Sequence, residues 1–254
     1  MKRVIYQKNP IVEAIIQIRF PKILALNSED PIAFQEEIKH DFPIYQLGLE
    51  TQQEISIKAP NTLPSIIQKE PIKNHCFISS NGEYKINLTS SFISISTIKY
   101  TRWEDMMDKL KKPLDAFLNI YQPPFASRIG LRYIDVFSRS KLNLEGTPWS
   151  SLIASPLSGA FINHCESSLI SSSIDYESLL DDSVSRSKIH AGLGNLDGSA
   201  EKVFVIDGDF VRTSPTPITE LSNVLNYLHT KEKEFIHNSI TETLHLAMKP
   251  ETVI

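Results

Sequence analysis

One pattern occurs twice in this chain, and the repetition constrains its fold more than any other feature. Residues 12–20 (VEAIIQIRF) and 129–137 (IGLRYIDVF) both read as strands carrying an arginine. Each opens a similar succession: a strand, a short helix, several strands and a long helix. A chain written as two copies of one unit is expected to fold with a pseudo-twofold shape, with a seam or groove where the copies meet.

In the first copy, Val12, Ala14, Ile16, Ile18 and Phe20 fall on one face of the opening strand. Glu13, Ile15, Gln17 and Arg19 fall on the other. Asp30-Pro31 starts a short helix with apolar spacing at Ile32, Phe34 and Ile38, and Pro43 stops it. Strands are predicted at 45–57, 76–80, 84–88 and 92–98, with Asn81-Gly82 as a hairpin turn. Residues 59–74, holding Pro60, Pro64 and Pro71, read as a surface excursion. Thr101 and Glu104 have capping-box spacing, in which hydroxyl and carboxylate each satisfy a free amide. Behind them Trp103, Met107, Leu110, Leu114, Phe117 and Tyr121 repeat down one helix face, with a kink expected at Pro113.

The second copy opens with the strand at 128–137. Short helices at 149–161 and strands at 168–176, 188–193 and 202–210 follow, with 179–187 as a polar loop. Pro215 and Pro217 launch a closing helix whose apolar stripe includes Leu221, Leu225, Leu228, Phe235, Ile236, Ile240 and Leu244; the spacing predicts one helix as far as Met248. The expected fold class is therefore α+β. Two tandem β-α-β(3–4)-α repeats, residues 1–124 and 125–254, share one curved antiparallel sheet and core, with the long helices on one face. The element order is similar to the saddle of the TATA-binding-protein fold, an analogy of architecture that carries no function. The first strands of the two repeats would lie near the pseudo-dyad, bringing Glu13, Arg19 and Arg132 together.

Composition narrows the function classes. With 41% hydrophobic and 22% charged residues over 254 positions, the chain has the make-up of a globular protein. A net charge of −4 disfavours non-specific nucleic-acid binding, which calls for a basic surface. No window approaches the ~18 apolar residues of a membrane span, so no membrane partner is expected. Cys76 and Cys165 stand alone, outside any CxxC or Cys/His cluster, as reduced thiols in a cytoplasmic protein would.

Three segments, NPIVEAIIQIRF at 9–20, YTRWEDMMDKL at 100–110 and RIGLRYIDVF at 128–137, resemble a sporadically distributed bacterial family of uncharacterised proteins. Its pattern is an N-P-x-V-E opening leading to I-R-F, a W-E-D helix start and a G-L-R-Y-I central strand. The likeness extends to IDGDF at 206–210 and to the terminal helix. Arg102 stands where that family often has serine. The resemblance implies no particular activity or cofactor; its patchy distribution implies mobile gene cassettes such as antiphage defence.

The site candidates follow from residue type and placement. Glu13, Arg19 and Arg132, near the seam, suit either an anionic ligand or, as buried charges usually require, an ion pair of Glu13 with an arginine that stitches the repeats. Asp207 and Asp209 share a strand face by period-two spacing. With Asp135 they form a weaker candidate set for Mg²⁺ and phosphoryl chemistry. The seven histidines lack metal-ligand spacing and read as solvated or capping residues. His164 and Cys165 are adjacent, so on a strand they would point apart. There is no P-loop, dinucleotide fingerprint or nucleophile elbow. The expectation is a non-enzymatic binding or accessory protein without cofactor or metal, a sensor or assembly subunit engaging a protein partner encoded nearby. The alternatives are a nucleic-acid binder using the sheet and a metal-dependent hydrolase or nuclease using Asp207 and Asp209.

Overall fold

The computed structural model describes residues 4–50, 53–56, 65–68, 71–159, 161, 166–195 and 201–252. It is a mixed α+β fold dominated by a nine-stranded antiparallel sheet. In chain order the first part runs β1 (Val4–Tyr6), β2 (Ile11–Arg19), α1 (Ala25–Ser28), α2 (Ile32–Ile38), β3 (Ile44–Glu50), β4 (Gln53–Ser56), β5 (Ser65–Gln68), β6 (Ile72–Ile78), β7 (Tyr84–Leu88), β8 (Phe92–Thr97) and α3 (Trp103–Tyr121). It continues through β9 (Arg128–Phe137), α4 (Arg139–Leu142), β10 (Ser173–Leu179), β11 (Ser185–Asn195), β12 (Lys202–Arg212), α5 (Leu221–Ser239), α6 (Glu242–Ala247) and β13 (Pro250–Thr252).

The large sheet has the order β10-β11-β12-β9-β2-β8-β7-β6-β3, while β1 pairs with β13 and β4 with β5 in separate two-stranded sheets. The two alternating runs singled out above are therefore side by side at its centre, with Ile16 opposite Leu131. Alternation decides what each strand buries. Ala14, Ile16 and Ile18 of β2, Ile129, Leu131, Tyr133 and Phe137 of β9, and Phe204, Ile206 and Phe210 of β12 all enter one continuous core. The long helices close it. α3 contributes Trp103, Met106, Leu110 and Phe117, and α5 contributes Leu221, Val224, Leu225, Leu228 and Ile236. The Trp103 indole N–H donates to Asn226 Oδ1 at 2.7 Å, tying α3 to α5.

Two local expectations are corrected. The capping box at 101–104 does not form: the N-cap of α3 is Arg102, without a side-chain cap. The Thr101 hydroxyl instead donates to Asp105 Oδ2 at 2.6 Å, and Arg102 Nε pairs with the same carboxylate at 2.7 Å. The closing helix is two helices. α5 stops at Ser239, where Ile240 turns extended and bridges to Ile153. The Ala154 N–H then bonds to the Ser239 carbonyl and the Thr241 N–H to the Leu152 carbonyl, both at 2.9 Å. Thr241 caps the new helix. Tertiary backbone pairing there replaces the helical ladder. No described helix is long and apolar enough to cross a membrane.

Candidate functional site

The sheet face opposite the core carries the seam candidates, and both arginines have partners other than Glu13. Arg132 makes a bidentate pair with Asp207 of β12, at 2.7 Å and 2.5 Å. Its side chain is 45% exposed, so the expected buried pair with Glu13 is corrected to a solvent-facing pair within one sequence half. The cause is register. From Glu13 onward the β2–β9 register is regular and sets Glu13 opposite Ile134 and Arg132 opposite Ile15, so Glu13 is only a diagonal neighbour of Arg132. Asp207 is the main reason the Arg132 guanidinium holds its proton even more firmly than usual; Glu13 adds a smaller effect. Arg19 donates to Gln17 Oε1 at 2.9 Å. Arg128 reaches Asp209 at 2.7 Å and the same Gln17 oxygen at 3.1 Å. Gly130 makes that reach feasible, because a Cβ there would collide with the Arg128 guanidinium.

Asp207 and Asp209 are thus each engaged by an arginine. Asp135 lies on the other side of the sheet, buried with Tyr133 and Phe137, so strand alternation separates it from both. No group of three His, Cys, Asp or Glu residues among the described residues is placed to hold a metal ion. Cys76 is half-buried, its thiol 3.2 Å from Asn87 Oδ1, and His164 and Cys165 lie outside the described residues. The solvated reading of the histidines fails at His75. That ring is fully buried between the Tyr45 hydroxyl and the Leu26 carbonyl, and burial pushes its pKa down.

On the core side, Asp135 opens onto a cavity of about 290 Å³. Three segments of the chain converge there. Tyr6, Asn9, Pro10 and Ile11 form the sill; Tyr100 to Trp103, leading into α3, form one wall; His229, Glu232, Lys233 and Ile236 of α5 form the other. Asn9 fixes the first two together. Its amide donates to the Tyr100 carbonyl and its Oδ1 accepts from the Ile11 N–H, both at 3.0 Å. The Val136 N–H bonds to the Pro10 carbonyl at 2.9 Å, joining the sill to β9.

Inside the cavity two carboxyls face a shared problem. Asp135 is 2% exposed and Glu232 is 5% exposed, and neither accepts a hydrogen bond or forms an ion pair with a described residue. Burial raises the Asp135 carboxyl to about 7. Burial, and after it the neighbouring Asp135 charge, raise Glu232 well above the ordinary carboxylate range. Because each charge opposes the other, the protons belong to the pair. The field extends outward: burial, then Asp135 and Glu232, push the Tyr6 hydroxyl up to about 12.

The aromatic lining is locked by its own contacts. Trp103 stacks on His229 with ring centroids 4.5 Å apart and planes 9° from parallel. The Tyr133 hydroxyl lies 3.2 Å from His229 Nδ1 and donates to the Tyr100 hydroxyl at 3.3 Å. Tyr6 and His245 are joined at 2.8 Å. Sequence reading flagged Asp135, but with the wrong companions, and missed Glu232, Tyr6, Tyr100 and His229 as site residues. The available signals were a carboxylate on the apolar side of each element: Asp135 in phase with Leu131 and Tyr133, and Glu232 four residues from both Leu228 and Ile236. No protein-family model matches this chain, and no curated protein does.

Proposed function

We propose that this chain is a non-enzymatic binding protein whose ligand site is the cavity between its two sequence halves. The halves, residues 1–124 and 125–254, are read as tandem β-α-β-α repeats related by a pseudo-dyad between β2 and β9, curved in the manner of a saddle. Strand order supports this reading. Outward from β2 come β8, β7 and β6; outward from β9 come β12, β11 and β10. The observation that carries the binding reading is the buried Asp135–Glu232 pair, without a partner among the described residues and set in a cavity walled by both halves. The three segments with family resemblance supply Asn9, Trp103 and Asp135 to those walls.

A role as an accessory, sensor or assembly subunit of a cytoplasmic antiphage cassette, acting with a protein encoded nearby, rests on that resemblance alone. The nucleic-acid reading has less behind it, since the open sheet face carries paired charges of both signs. So has the hydrolase reading through Asp207 and Asp209, given their arginine partners.

A thermal-shift screen of small cationic, anionic and neutral compounds tests the proposal. A true ligand raises the melting temperature by mass action, is recovered chemically unchanged, and loses its effect on Ile11→Trp, which fills the cavity. Conversion of the ligand would make the protein an enzyme, with the carboxyl pair as its acid and base. Indifference of every ligand to Ile11→Trp would place the site elsewhere.

A further inference from the structure

We propose that the cavity takes a small organic cation, a primary ammonium or guanidinium group, seated between the Asp135 and Glu232 carboxylates and flanked by the rings of Tyr6, Tyr100 and Trp103. This rests on the binding reading above and names its ligand class. Buried carboxylates persist where something compensates them. Here the described side chains do not: Arg102, at the rim, is held by Asp105 at 2.7 Å, and Lys233 forms no ion pair with either carboxylate.

The lining selects among cations. A divalent metal ion wants several oxygen or nitrogen ligands in a closed shell, and no such group of three is present among the described residues. An ammonium or guanidinium needs only the two carboxylates for its N–H donors, and aromatic rings accommodate both its charge and its alkyl stem. At about 290 Å³ the cavity lies at the small end of ligand pockets, which fits a short amine rather than a peptide or nucleotide.

Isothermal titration calorimetry at pH 8 with n-butylamine, 1,4-diaminobutane and 4-guanidinobutylamine decides it, with n-pentanol and butyrate as uncharged and anionic counterparts. At least one cationic probe should bind at least about tenfold more tightly than n-pentanol. Asp135→Asn and Glu232→Gln, near-isosteric and shown folded by circular dichroism, should each weaken that probe by about tenfold or more, while Asp207→Asn on the opposite sheet face should leave it unchanged. Cationic probes binding no better than n-pentanol, or binding equally well to both carboxyl variants, would overturn the inference. If n-pentanol or butyrate then binds and Ile11→Trp abolishes it, the cavity reading survives without the cation; if no probe responds to Ile11→Trp, both fall.

Discussion

Glu232 occupies a position that the spacing of Leu225, Leu228 and Ile236 reserves for an apolar side chain, and Asp135 does the same on β9. Together they cost stability at neutral pH. Their folded-state pKa values are raised, so between about pH 4 and about pH 7 the folded protein holds protons that the unfolded chain has released. Stability from this pair is therefore greatest below about pH 4. It falls as pH rises through that window, and Glu232 extends the loss further. Asp135→Asn removes the charge, so it should stabilise the protein at pH 8, on the order of a few kcal/mol, and flatten the slope of stability between pH 5 and pH 8. Urea unfolding at both pH values measures this; a destabilised Asn variant with an unchanged slope would show the carboxyl is compensated. Sequence pattern could locate each acid on an apolar face. It could not pair them, because they lie on different elements nearly a hundred positions apart.

At the scale of elements, amphipathic spacing was sufficient for α3 and for the body of α5, since the core-facing stripe is a local property. Replacing fully buried Leu225 by Ala should cost about 2–5 kcal/mol in chemical denaturation; a change below about half a kcal/mol would make α5 peripheral. The break at Ile240 was not legible, because its cause is non-local: residues 152–154 capture the backbone of 239–241. Thr241→Ala removes the cap of α6 and should cost about 1 kcal/mol. The capping box failed for a local reason: α3 starts one residue later than the Thr101 and Glu104 spacing requires, with Arg102 at the N-cap, and the Thr101 hydroxyl donates to Asp105. Gly130 belongs to the same scale. Gly130→Ala should displace Arg128 from Asp209 and Gln17 and lower stability, whereas Arg128→Ala in the same background should recover part of that loss if the clash is its cause.

For the molecule as a whole, the two arginine-bearing runs were expected near a pseudo-dyad, and β2 and β9 are neighbours in the sheet. The side-chain pairing across them was not legible, because strand register alone decides which residues face each other, and it sets Arg132 opposite Ile15 and Glu13 opposite Ile134. The cavity was hidden more deeply. Its walls come from the first strands, the lead into α3 and the middle of α5, and only the folded chain assembles them. An acid pair is kept buried there without a counter-ion among the described residues. The most direct test is a pH titration of the Asp135 and Glu232 carboxyl ¹³C resonances, assigned with Asp135→Asn and Glu232→Gln. The account predicts that the pair still retains a proton at pH 6, lost only at higher pH, and that Asp135→Asn changes the titration of Glu232. Both carboxyls fully ionised by pH 5, each titrating independently of the other, would contradict it.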